Sequence, residues 1–341
     1  MATLNYTLPI DSWVLVTGAN GHIASQVIDA FLAKGYRVRG TVRSEKPWLV
    51  EGFQAKYGLG RFETAIVPRL EDEGALNGCV QDVAGIVHVA SNMSYRPNPS
   101  DVIPGVVAAT MNVMTAANKT PSVKRVVLTS SVVAAFPVLD DAVGLADKTV
   151  DATTWNTAAV ADAWNPDTPE HMKPSVIYAA AKVEAERGAW TWMEEHKPHF
   201  ILNTVLPNMN FGKILFPEHQ GSAMRFTRMM LDGNELIMRV ARPQWYVDVE
   251  DTARLHVVGL LDPNVQSERL FACAAPFAWA DVVQILRELQ PQNTQIPDAL
   301  GEVQEKFHVV ASARAEQLLR AFYGKDRWTP LKESLAKGIE G

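Results

Sequence analysis

A tyrosine and a lysine four residues apart, in Val176-Ile177-Tyr178-Ala179-Ala180-Ala181-Lys182, are the side chains best suited to move a proton. On a helix that spacing puts phenol and ammonium on one face. A neighbouring cation favours the phenolate, so the pair can exchange a proton with a substrate oxygen, and the lysine can also hold a ribose. A further hydroxyl stands in Leu128-Thr129-Ser130-Ser131, where an apolar run ends. A serine there can donate to a carbonyl oxygen as negative charge develops on it. A Tyr-x-x-x-Lys spacing arises readily by chance, so it needs support from the rest of the chain.

Support comes from Thr17-Gly18-Ala19-Asn20-Gly21-His22-Ile23-Ala24, which follows an apolar run and opens into a periodic segment. Gly18 suits a tight turn, Gly21 permits close backbone approach to a pyrophosphate, and Ala24 lets the helix pack near the strand. The helix N-terminus then faces the phosphates. His22 has no partner at metal-ligand spacing and is assigned no chemistry of its own, and His88, inside an apolar run, reads as a core histidine. No metal is expected. About 20 residues beyond the turn, where a carboxylate would meet a free ribose 2′-hydroxyl, stands Arg37-Val38-Arg39-Gly40-Thr41-Val42-Arg43-Ser44. Guanidinium forks suit a 2′-phosphate, so Arg39 and Arg43 favour NADP over NAD, with Glu45 the one residue arguing back.

These groups meet only if a parallel sheet brings them together. Short apolar runs at Trp13–Val16, Tyr36–Val42, Thr64–Val67, Gly85–Val89, Arg125–Thr129 and Phe200–Val205 alternate with helical stretches. That rhythm predicts a doubly wound α/β (Rossmann) sheet covered on both faces. After Pro207 the pattern changes, and a smaller, discontinuous substrate lobe is expected over about 207–244 and 263–341. Residues 1–206, with a return at about 245–262, would form the dinucleotide-binding domain. Asp140 to Pro174 reads as a long surface excursion.

Composition narrows the function classes. The 341 residues are 47% hydrophobic and 21% charged, ordinary globular values with ample apolar material for a core. A formal charge of −6 without a Lys/Arg block disfavours nucleic acid as a partner. Two distant cysteines, Cys79 and Cys273, suggest a reducing compartment. A polar start and the lack of a long apolar run make a cytoplasmic protein without membrane association the default expectation.

Taken in order, Thr17-Gly18-x-x-Gly21-x-x-Ala24, His88-Val89-Ala90-Ser91, Thr129-Ser130-Ser131, Tyr178-x-x-x-Lys182 and Leu206-Pro207-Asn208 resemble the extended short-chain dehydrogenases/reductases. The likeness is to fungal and yeast NADPH-dependent aldehyde and carbonyl reductases, related to dihydroflavonol reductases. It implies Ser131 as the catalytic serine, Tyr178 as acid/base, and Lys182 as its modulator and ribose contact. It places Thr17, Gly18, Asn20, Gly21, His22, Ile23, Arg39, Arg43, Ala90, Ser130 and Pro207 around the dinucleotide. Ser91, Met93, Asn208 and Trp245 or Tyr246 fall near the substrate. Asn112 matches a helical asparagine that joins a polar network in relatives, or it serves helix packing. The implied activity is NADPH-dependent reduction of a small-molecule aldehyde or ketone, keto esters included, and the scaffold admits a homodimer. Two alternatives share these features: a nucleotide-sugar epimerase or dehydratase on the same scaffold, and a non-catalytic dinucleotide sensor.

Overall fold

The computed structural model describes residues 5–136, 149–219, 222–301 and 308–340. In chain order the strands are β1 (Trp13–Val16), β2 (Arg37–Val42), β3 (Phe62–Ile66), β4 (Val83–His88), β5 (Arg125–Thr129), β6 (Thr149–Val150), β7 (Ile201–Pro207), β8 (Met209–Phe211), β9 (Trp245–Asp248), β10 (Arg269–Ala272), β11 (Ala275–Pro276) and β12 (His308–Val309). The helices are α1 (His22–Ala33), α2 (Pro47–Tyr57), α3 (Ile103–Asn118), α4 (Thr157–Trp164), α5 (Lys173–His196), α6 (Ala223–Arg228), α7 (Leu236–Val240), α8 (Val249–Leu261), α9 (Trp279–Leu289), α10 (Ser312–Tyr323) and α11 (Leu331–Ile339).

Seven strands form one parallel sheet in the order β10-β7-β5-β4-β1-β2-β3. Val14, Leu15 and Val16 are fully buried because helices cover both faces, which is why β1 is apolar without alternation. From β1 the chain winds outward to β3 and then crosses to β4 on the other side. The strand order therefore reverses between β1 and β4, where open α/β sheets bind ligands. One apolar cluster, including Val27, Ile28 and Phe31 of α1, fills one side of the sheet. A second, including Val113 and Met114 of α3, fills the other.

A third core is built around Phe211, Phe277 and Trp279, beside the small sheet β11-β9-β8. The segment from Trp245 divides between the two units. Its strand β9 pairs in the small sheet, while α8 packs on α1 and β7 of the large one. The chain from 263 onward, expected in the lobe, also divides: β10 forms an edge of the large sheet, and Leu318, Leu319 and Phe322 of α10 join its core.

Helix α5, which carries Tyr178 and Lys182 four residues apart, is 24 residues long; it starts beside Pro174 and stops where Lys197 takes a left-handed φ of 43°. Its small residues Ala180 and Ala181 are buried and let it approach the sheet closely. Residues 140–148 of the expected excursion lie outside the described residues. Its later part contains β6 and α4, and α4 packs along α5. Among the described residues no helix is long and apolar enough to cross a membrane.

Candidate active site

The turn between β1 and α1 is held from below by one hydroxyl. Thr17 Oγ1 accepts from the Val89 and Ala90 N–H groups, both at 3.0 Å, and lies 2.8 Å from His88 Nδ1. The hydroxyl hydrogen goes to that nitrogen, so His88 is neutral with its proton on Nε2. Burial, and then the Lys182 charge, hold the His88 pKa down at about 3. Gly18 has φ +70°, and a Cβ there would stand 3.1 Å from Cα and Cβ of Ala90, so the position excludes a side chain twice over. Gly21 caps α1 without a side-chain bond, and no acidic residue occupies the first turn, leaving the positive end of the helix open to an anion. Asn20 and Ile23 are partly buried beside it. Gly40 belongs to no sequence motif, yet a Cβ there would come within 2.6 Å of Ala19, so the turn can settle on β2 only over a glycine.

His22 acts as a fastener. Its Nε2 meets the Lys213 carbonyl at 3.1 Å, beside Gln26 Nε2 at 2.8 Å, and burial pushes its pKa to about 4. The two arginines differ sharply. Arg39, expected at the 2′-phosphate, is instead engaged with Glu63 (2.6 Å) and the carbonyls of Cys79 (2.8 Å) and Gln81 (3.0 Å), close to the start of β4. This is a correction: the guanidinium is held at the opposite end of the sheet from the glycine turn. Arg43, past the end of β2, is exposed and has no hydrogen bond or ion pair among the described residues. Lys46 lies nearby, bonded to Ser44 Oγ at 2.8 Å.

Three neighbouring strands, β4, β5 and β7, end side by side and deliver Ser91, Ser130 with Ser131, and Asn208 to one rim. The two serines diverge. Ser130 donates to Glu186 Oε2 at 2.7 Å, so its hydroxyl proton is committed away from a cofactor. Ser131 lies 3.5 Å from the Pro207 carbonyl, and its hydroxyl is near enough to Tyr178 to pull the phenol's pKa down. Asn156, also missed from sequence, braces the turn after Ser131 by donating to the Val133 carbonyl at 2.9 Å.

Tyr178 differs from expectation in its charge state. Burial, then the neighbouring Tyr95, raise its pKa, while the Ser131 hydroxyl opposes them; Lys182 is not among the causes. The phenol is therefore protonated at neutral pH. Lys182 donates to the Thr129 carbonyl at 3.1 Å with its Nζ 6.0 Å from the Tyr178 ring centre. Burial lowers its pKa to about 8 against the pull of Glu186. Tyr95, unremarked in the sequence because it lies in an irregular loop, places its ring 5.5 Å from that of Tyr178.

Ser91 Oγ and Asn208 Nδ2 are buried without a hydrogen-bond partner among the described residues, a state that costs free energy unless a ligand satisfies it. Met93 is exposed at the rim. Alternation in β9 separates Trp245 from Tyr246. Trp245 packs against the apolar cluster that contains Val132, Ala135, Leu206 and Phe271. Tyr246 points into the lobe core and donates to the Thr329 carbonyl at 3.2 Å, so it is withdrawn from the expected substrate contacts. Asn112 donates to the Leu70 and Asp72 carbonyls at 2.8 Å each, which makes it a clamp on the loop after β3.

The NAD dependent epimerase/dehydratase family profile matches residues 14–273. A ketoreductase of Aspergillus novofumigatus is 42% identical over 98% of this chain and 97% of its own length. Aldehyde reductase 2 of Sporidiobolus salmonicolor is 37% identical over 97% and 96%. The fold is also that of yeast methylglyoxal/isovaleraldehyde reductase, solved with NADPH, with a TM-score of 0.76 at 24% identity over 96% of each chain. The chain belongs to the NAD dependent epimerase/dehydratase family, where its relatives include fungal ketoreductases and an aldehyde reductase.

Proposed function

We propose that this chain is an NADPH-dependent reductase of small aldehydes and ketones, keto esters included. The observation that carries the reading is a half-buried, protonated Tyr178 that senses the Ser131 hydroxyl at the strand ends. Proton donation to a carbonyl oxygen needs the phenol in that form. Ser131 polarises the oxygen, Tyr178 delivers its proton there, and the Lys182 ammonium steadies the phenolate left behind. When bound, NADPH supplies the hydride. Thr17, Gly18, Asn20, Gly21, Ile23, Ala90 and Pro207 would line its path, Lys182 would hold its nicotinamide ribose, and Arg43 its 2′-phosphate. Ser91, Met93, Asn208 and Trp245 would face the substrate, the two unpartnered polar atoms giving it a second hydrogen-bonding point. Two buried free cysteines support a reducing, cytoplasmic setting.

The test is to mix the protein with NADPH and a panel of aldehydes, β-keto esters and α-diketones and follow nicotinamide absorbance. Loss of absorbance with at least one carbonyl is expected. Binding of NADPH without any loss contradicts the reading. Epimerase chemistry, which the family name recommends as the second reading, would instead show as turnover of a nucleotide sugar with the dinucleotide regenerated each cycle.

A further inference from the structure

Glu186 sits one helical turn beyond Lys182 and two beyond Tyr178 on α5, and it is 1% exposed. Its carboxylate accepts from Ser130 Oγ (2.7 Å), Thr204 Oγ1 (2.8 Å), and Arg269 Nε (2.8 Å) and Nη2 (3.2 Å). Arg269 is fixed in turn. Its Nη1 donates to the Ala152 and Thr154 carbonyls at 2.9 and 2.8 Å, and its guanidinium lies 3.8 Å from the Trp155 ring centre. One carboxylate thus ties α5 to the end of β5, to β7 and to β10.

A buried ion pair is a poor source of stability, since well-packed apolar residues commonly do as well in its place. This one lies beside a buried amine that makes no ion pair of its own among the described residues and whose hydrogen bond goes to a neutral carbonyl. We propose that Glu186, clamped by Arg269, is a positioning residue for Lys182 and Ser131. It supplies the counter-charge that keeps the buried amine cationic, and it pins the helix of Tyr178 to the strand end of the two serines.

Among the described residues the charged and titratable surroundings are few. Lys182 faces Tyr178 and Glu186 on its own helix and His88 from β4, while His256 of α8 meets Thr129 Oγ1 at 2.7 Å. Burial keeps both histidines neutral, at about 3 and about 4, so neither titrates near Lys182. Glu186 faces Arg269 from β10, and Trp190 on its own helix lies 3.4 Å away. Glu186 therefore acts on Lys182 directly, and Arg269 acts on it through the ion pair with Glu186.

The proposal rests on Lys182 belonging to the catalytic machinery, so its test uses neither substrate nor cofactor. The Cε resonance of Lys182 is followed against pH in 13C-lysine-labelled protein, assigned by its loss in Lys182→Arg. Glu186→Gln should move the Lys182 midpoint down from about 8 by about one pH unit. Arg269→Gln, which unmasks the carboxylate, should move it up. A bracing role alone would lower thermal stability in both variants and leave the midpoint where it stands in the parent. Unmoved midpoints, or shifts of the same sign, overturn the proposal. If one variant fails to fold, the sign in the other decides; if both fail, Glu186→Gln/Arg269→Gln, with no uncompensated charge, should still shift down, by less. Shifts as expected in a protein that reduces no carbonyl would sink the reductase reading and leave the electrostatic one standing.

Discussion

Thr17→Val keeps the shape of the side chain and removes the hydroxyl that joins the glycine turn to β4. Three contacts go with it, at 2.8, 3.0 and 3.0 Å. At roughly 1 kcal/mol net for each, the loss is about 3 kcal/mol, and the buried His88 nitrogen left without a donor keeps it from being smaller. An unfolding entropy of about 2.1 cal/mol/K per residue over 341 residues is about 0.7 kcal/mol/K, so the melting temperature should fall by about 4 °C. Ala90, no longer held against Gly18, should also drift from the dinucleotide path and weaken NADPH by about tenfold, the equivalent of about 1.4 kcal/mol. Calorimetry and a fluorescence titration with NADPH measure the two effects. Thr17→Ser, which retains the hydroxyl, should stay near the parent in both. A valine variant that melts within about 1 °C of the parent and binds NADPH equally well would refute the reasoning.

Arg43→Ala should weaken NADPH by about tenfold or more and NADH hardly at all, whereas Arg39→Ala should lower stability without changing the preference; a preference that follows Arg39 would contradict its engagement with Glu63 and two carbonyls. Asn208→Leu removes a buried donor with no partner, so the free protein should be as stable as the parent or more so while kcat/KM for the best carbonyl falls; lost stability with full activity would assign Asn208 to the scaffold. Because burial depresses the Lys182 pKa, the ammonium is present below about pH 8 and lost above it, and kcat/KM for reduction should decline across that pH, as a pH series reads directly.

Much of the fold was legible because its strands announce themselves. β1 and β5 were read to the residue, since both-face burial leaves runs with no polar interruption. β10 escaped notice: four residues opening on an arginine give little signal, and that arginine is apolar-compatible only through Glu186 and Trp155. β9 and α8 make up the return expected at about 245–262, but sequence pattern reports an element and not its partner, so their separate allegiances are visible only in three dimensions. In the site, Ser131, Tyr178 and Lys182 converge as their motif order implied. Arg39 and Arg43 look alike in sequence; their fates diverge because one lies within β2 and finds Glu63 and two carbonyls, while the other lies past its end. Glu186 carries no signal in the sequence, because a charged helical residue ordinarily faces water. Tyr95 belongs to a loop without a period to betray it.

The measurement closest to the central claim is the turnover of Tyr178→Phe beside its NADPH affinity. The ring, its contact with Tyr95 and the cofactor path are retained, and the phenolic proton alone is removed. The account predicts a fall in kcat of about 10²- to 10⁴-fold, the range for general acid catalysis, with the NADPH dissociation constant within about threefold of the parent. A phenylalanine variant that keeps most of its carbonyl reductase activity would contradict it.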